Sequence, residues 1–217
     1  MQIKQKLDYP IWKTPYFCIV GLFVFVKLVK AGALTLLINK QFFNKKINLT
    51  LKFFNLIFYR DNKEEIGKKL LSCLIDLGPG YIKFGQALST RPDLVDKKTC
   101  QYLKKLQDDI EPFSSSIAKK IIETESQNLI DNIFSSFDEK PIANASVAQV
   151  HTAILKSGET VAVKLLKPNI QKKLFNDFIF FYWASKCLEI AIPSIKRLKL
   201  SKNVEVLSEV SLNELDL

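Results

Sequence analysis

The amino-acid sequence predicts an α+β protein in which helices come first and a small antiparallel sheet follows. Three observations carry that prediction. Up to Pro141 the apolar residues recur at helical spacing, with breaker residues between the segments. Beyond Pro141 the period shortens to two: Val150, Thr152 and Ile154 alternate along one strand face, and Val161, Val163 and Leu165 along the next. Between these strands Lys156-Ser157-Gly158-Glu159 has the composition of a tight turn.

Three stretches follow from composition: a basic aromatic helical segment over residues 1–62, a helical extension over 63–140, and the sheet-bearing part over 141–217. Residues 1–60 hold ten Lys/Arg and one acid, Asp8, a balance of +9, whereas residues 61–217 hold 22 bases against 21 acids. The same N-terminal segment carries 12 of the 24 aromatic residues. A basic, aromatic extension on a nearly neutral body points to an anionic membrane surface. Nucleic acid is the competing reading, but the body offers no basic face to continue the contact.

Tyr16 to Val26 is an unbroken apolar run, too short to span a bilayer. Adding Ala31 to Ile38 lengthens it but leaves Lys27 and Lys30 in mid-span, at substantial cost. Leu49 to Tyr59 is no longer than the first run, and no small-residue cleavage site follows a charged start. Interfacial or core-packed helices are therefore expected. Cys18, Cys73, Cys100 and Cys187 stand far apart with no paired spacing, which argues against a disulfide framework or a zinc site. They read as buried apolar side chains in a reducing compartment.

Within 63–140, Glu64 to Asp76 reads as a helix closed by Gly78-Pro79-Gly80, and Tyr81 to Ser89 restarts it. Tyr81, Phe84 and Leu88 fall on one face of that second helix, Lys83 and Gln86 on another. Thr90-Arg91-Pro92-Asp93 interrupts the pattern, with Pro92 suited to a new helix start and Arg91 and Asp93 to orienting the junction. Asp96 to Asp108 and Ser114 to Gln127 are the next helices, the latter with serine N-caps and Glu123 and Glu125 on its polar side. After the strands, Lys167-Pro168-Asn169 precedes a long apolar helix over Ile170 to Ile192, and another helix begins at Asn203.

Lys164 is the sharpest candidate for chemistry. A lysine between Val163 and Leu165 on an apolar strand is costly to desolvate unless an anion meets it; the alternative is an edge-strand lysine reaching water. Upstream, Ala143-Asn144-Ala145-Ser146 is a run of small residues whose backbone can approach phosphate oxygens. His151, the only histidine, has no acid or cysteine partner in a catalytic pattern and reads as a strand residue.

Lys83-Phe84-Gly85-Gln86, set within residues 77–94, then Pro141 to His151, then Val161-Ala162-Val163-Lys164, form an ordered series that resembles the UbiB family of atypical kinase-like proteins. The resemblance covers about Ile66 to the C-terminus. It implies that the sheet-bearing part is a protein-kinase-like N-lobe, and that Lys83 and Gln86 belong to a KxGQ helix folded over it, its lysine restricting access to the site. It implies that Ile142, Ala143, Asn144, Ala145, Ser146, Val147, Ala148, Gln149 and Val150 form the nucleotide loop, with Lys164 on the phosphates. Asn144 stands where the family's loop has alanine. Glu214-Leu215-Asp216 matches the family's ExD motif, whose acids face the KxGQ lysine and the nucleotide.

The activity so implied is an ATPase or kinase that uses ATP with Mg²⁺ to support ubiquinone biosynthesis. It would act peripherally at the cytoplasmic face of the inner membrane, with biosynthetic enzymes or lipophilic quinone precursors as partners and no nucleic acid. The family's catalytic loop and metal-holding Asp have no match in the sequence, so no catalytic residue and no metal ligand is assigned. The expectation is a chain cut short after the N-lobe, its C-lobe absent or supplied by a partner chain. The alternatives are a noncatalytic membrane-associated scaffold and the remnant of a truncated gene.

Overall fold

The computed structural model describes residues 13–37, 45–58, 65–107 and 112–215. The expected helix limits at Glu64, Tyr59 and Asp108, and the motif residue Asp216, lie outside them. Helices α1 (Thr14–Lys30), α2 (Ala33–Leu37) and α3 (Lys45–Phe58) form the N-terminal segment. Helices α4 (Ile66–Leu77) and α5 (Pro79–Ser89) meet at Gly78, whose φ of 115° is a conformation that favours glycine, and Pro79 opens α5 where no backbone donor is needed.

Helix α6 (Lys97–Lys104) begins later than Pro92 suggested. The Asp96 side chain accepts from the Thr99 amide at 2.9 Å and sets the start, while Pro92 sits in the preceding turn. In that turn Arg91 donates twice to Asp93, at 2.7 and 2.8 Å. A 3-10 turn (Lys105–Gln107) follows α6, and α7 (Ser115–Ser126) ends at Gln127 in the left-handed region. Ser114 occupies the N-cap of α7, but its hydroxyl pairs with that of Ser116 and makes no cap bond.

Sequence periodicity makes everything before Pro141 helical; the structure corrects this. After the single-turn helix α8 (Ile130–Ile133), Phe134–Phe137 forms strand β1. Four residues with two serines between two phenylalanines are too few to display a period, so only the pairing with a later strand reveals them. The remaining strands are β2 (Ala143–Asn144), β3 (Ala148–Leu155) and β4 (Thr160–Leu166). The antiparallel sheet has β3 at its centre, with β1 and β2 along one edge and β4 along the other. Gly158, at φ 92°, makes the β3–β4 turn.

Helix α9 (Ile170–Ala191) follows, then a 3-10 turn (Pro193–Leu198) and α10 (Leu200–Asn213), which starts ahead of Asn203. The earlier start has a cap behind it: Glu189, in the last turn of α9, accepts from the Ser201 amide at 2.9 Å and its hydroxyl at 3.1 Å, placing a carboxylate at the positive end of α10.

Two cores hold these parts. The larger joins α1, α4, α5, α6 with its 3-10 turn, α9 and α10 around Leu74, Leu103, Leu106, Leu174 and Phe178. Each of these side chains contributes about 1.5–3 kcal/mol through burial. The smaller packs α7 under the sheet through Ala118, Ile122, Ala153 and Leu165. Two of the four cysteines depart from expectation: Cys73 and Cys100 are buried, but Cys18 on α1 and Cys187 on α9 are exposed.

Candidate functional site

Strand register assembles the sheet half of the site. Ala143, Val150 and Lys164 stand directly opposite one another across β2, β3 and β4, and Thr152 faces Ala162 in a neighbouring row. Side chains alternate along a strand, so these five residues share one sheet face. That face is open: Ala143, Ala162 and Lys164 are exposed, and Val150 and Thr152 are half-buried. A small apolar strip ending in an ammonium can take a flat ring on Val150 and Ala162 and an anion on Lys164.

The opposite row, Asn144, Gln149 and Leu165, turns inward. Gln149 is fully buried: its carbonyl accepts from the Phe113 amide at 3.0 Å, and its amide donates to the Phe113 carbonyl at 3.3 Å. The same amide group lies 2.8 Å from Nε2 of His151, whose Nδ1 is 2.8 Å from the Asp138 carbonyl. A carbonyl can only accept, so the ring carries its proton on Nδ1 and accepts at Nε2. His151 also stacks on Phe137, ring centroids 4.8 Å apart. It is a strand residue within a satisfied polar network.

The small-residue loop is folded down. The Ala145 amide donates to the Ala148 carbonyl at 2.8 Å and closes the turn, while the Lys167 amide donates to the Val147 carbonyl at 2.9 Å. Ser146, Val147 and Ala148 are buried, the last two within the larger core. Of the residues assigned to nucleotide contact, Ile142, Ala143, Ala145, Val150 and Lys164 can be reached from solvent, whereas the side chains of Ser146, Val147, Ala148 and Gln149 cannot. Alternation along so short a hairpin depends on register, which sequence spacing does not give.

The helical half lies on α5. Lys83 is buried and forms an ion pair and hydrogen bond with Glu214, at the C-cap of α10. Gln86 does not join it: its amide donates to the Leu106 carbonyl at 2.9 Å and ties α5 to the 3-10 turn. The shared polar face expected from spacing is thus split, because α5 is packed on two sides rather than solvated. Gly85 is a packing residue; a Cβ there would meet Leu106 at 2.4 Å and Leu74 at 2.7 Å.

One neighbour of the site has no motif to announce it. Asp177, on α9, accepts from the Gly80 amide at 3.0 Å and anchors the N-terminus of α5. Burial pushes its carboxyl up to about 6, with the Gly80 bond and nearby Lys173 pulling the other way. A Cβ on Gly80 would lie 2.4 Å from Asp177, so only glycine allows the approach. A lone acid in Leu174-Phe175-Asn176-Asp177-Phe178-Ile179-Phe180 was the available signal.

Among the described residues no group of three or more His, Cys, Asp or Glu side chains could hold a metal ion. The open sheet face, apolar with a single ammonium at its end, fits a nucleotide better than it fits a resident metal.

A model of the ABC1 atypical kinase-like domain matches residues 105–217. The chain is 41% identical over 165 residues to "Probable protein kinase UbiB" of Aliivibrio fischeri (strain ATCC 700601 / ES114), which covers 74% of this chain and 30% of that protein. Against the protein of the same name from Shewanella woodyi (strain ATCC 51908 / MS32) it is 43% identical over 146 residues, 66% of this chain and 27% of the relative. The Shewanella sp. (strain MR-4) protein is 38% identical over 167 residues, 75% and 30% of the two chains. The chain therefore spans under a third of the length of these curated relatives. With the domain match over 105–217 and relatives about 40% identical over two thirds or more of its length, the chain belongs to the UbiB family of atypical kinase-like proteins.

Proposed function

We propose that this chain is the nucleotide-binding N-terminal part of a UbiB-like atypical kinase or ATPase that supports ubiquinone biosynthesis at a membrane. One observation carries the reading: Val150, Ala162 and Lys164 lie on a single open sheet face, an apolar platform ending in a cation. Such a face suits a purine ring with phosphates beyond it. Mg²⁺ would arrive with the phosphates and supply charge neutralisation there. The basic aromatic N-terminal helices suit a peripheral position on an anionic leaflet, the cytoplasmic face of the inner membrane, near lipophilic quinone precursors and the enzymes that modify them.

The test is ATP and ADP binding to the purified chain, with and without Mg²⁺, beside Lys164→Ala. Saturable binding weakened at least tenfold by the substitution supports the reading, since a hydrogen bond to a charged group contributes about 1.5–3 kcal/mol. No binding by a cooperatively folded sample overturns it. The second reading, a noncatalytic membrane scaffold, is favoured by the apolar residues that α1 and α3 expose; vesicle binding without nucleotide binding would select it.

A further inference from the structure

We infer that the outward faces of α1 and α3 are a docking surface for an anionic lipid leaflet, which gives the membrane part of the proposed function, on which it rests, a specific place on the molecule. On α1, Tyr16, Ile19 and Leu22 recur every three residues, and all three are exposed, Ile19 to 72%. On α3, Leu49, Phe53 and Leu56 stand at intervals of four and three, and Leu56 is 82% exposed. Each set is the solvent-side stripe of a helix whose other side is engaged. Phe17 of α1 packs on Phe180 and Trp183 of α9, with ring centroids 6.1 and 5.5 Å away. Phe25 meets Phe54 edge-on at 5.8 Å and joins α1 to α3. The stripes are therefore left over after the core is complete.

Charge selects the occupant. Residues 13–37 and 45–58 contain no Asp or Glu, whereas Lys30, Lys45, Lys46 and Lys52 are exposed on these same helices and Lys27 lies 5.0 Å over the Phe23 ring. Large aliphatic side chains rimmed by cations and free of anions match a layer with hydrocarbon below and phosphate above. Nucleic acid would use the lysines but has no place for Ile19, Leu22 or Leu56. A spanning mode does not fit either: among the described residues no helix is long and apolar enough to cross a membrane.

The test is cosedimentation of the purified chain with vesicles of phosphatidylcholine, alone or with roughly one third phosphatidylglycerol. The expected result is binding to the anionic vesicles that weakens with salt, falls about tenfold or more in Ile19→Ser/Leu22→Ser/Leu56→Ser, and falls similarly in Lys45→Glu/Lys46→Glu/Lys52→Glu. All six side chains are outside the core, so circular dichroism and thermal unfolding should match the wild type. If the apolar variant fails to fold, Ile19→Trp in the otherwise intact chain reads the same surface: a blue-shifted emission on anionic vesicles supports docking, and an unchanged spectrum overturns it. Wild-type binding that the folded apolar variant retains in full overturns this surface while leaving the membrane reading intact. No wild-type binding to either vesicle overturns both, and nucleotide binding in the same samples stands or falls separately.

Discussion

Lys83 of α5 and Glu214 of α10, 131 positions apart in the chain, form an ion pair in which the lysine side chain is 10% exposed and the glutamate 45%. The pair joins α5 to the C-cap of α10, a contact that spacing within either segment does not give. Its lopsided burial determines its energetics. Removing the carboxylate strands a buried ammonium, whereas removing the ammonium leaves a carboxylate that water can reach.

Glu214→Gln should therefore destabilise the fold by about 1–2 kcal/mol, less than for a fully buried pair because Glu214 is partly solvated. Lys83→Met in the same background should recover most of the loss. Urea unfolding of the single and double variants measures both. Equal stability of wild type and Glu214→Gln would show that the pair contributes nothing net.

Asp177 gives stability a pH dependence with a definite sign. Its carboxyl is raised from 3.8 to about 6 in the folded state, chiefly by burial. Between those values the folded protein holds the proton more tightly than the unfolded chain, so this group favours folding at low pH, and its contribution falls as pH rises through about 6. Asp177→Asn keeps an acceptor for the Gly80 amide and removes the ionisation. It should be more stable than wild type at pH 7.5, by on the order of 2 kcal/mol, and nearly equal at pH 4. Unfolding midpoints at the two pH values provide the check.

Gly85→Ala should cost about 1–3 kcal/mol, because the new methyl meets the ends of Leu106 and Leu74 in a filled core. Gly80→Ala should cost more than Gly85→Ala. Its clash is with Cβ of Asp177, close to the α9 backbone, and relieving it breaks the α5 anchor. Thermal unfolding of the two variants side by side ranks them.

Gln149 and Lys164, both within the matched kinase-like domain, should separate cleanly in experiment. Gln149→Ala leaves buried His151 Nε2 and the part-buried Phe113 backbone groups without their partner, a loss of roughly 1–3 kcal/mol. Lys164→Ala removes an exposed side chain and should change stability by about 0.5 kcal/mol or less while weakening the proposed nucleotide binding. The reverse pattern would move the functional contact from β4 to the inside of the sheet.

The legible parts of the fold were those with a long period or a breaker at their ends. Helix α9 declared itself through 22 residues between Asn169 and Ile192, and the α4–α5 junction through Gly78 and Pro79. Strand β1 was hidden because Phe134-Ser135-Ser136-Phe137 is too short to carry a pattern, and the start of α10 because its cap, Glu189, comes from the neighbouring helix. Spacing on α5 did not give orientation. Lys83 and Gln86 have the right spacing to share a target, yet one meets Glu214 and the other Leu106.

The sequence by itself determined the family, the order of the motifs and the basic aromatic character of the N-terminal segment, because these are properties of residue type and spacing. The tertiary structure decided which of those residues face a possible ligand. Strand register put Ala143, Val150 and Lys164 on the open face and Gln149 inside, and the packing of α5 against α10 turned a lysine that spacing would leave in water into one half of a buried ion pair. Those outcomes rest on contacts between segments far apart in the chain, where small differences in register or packing reverse what a side chain meets.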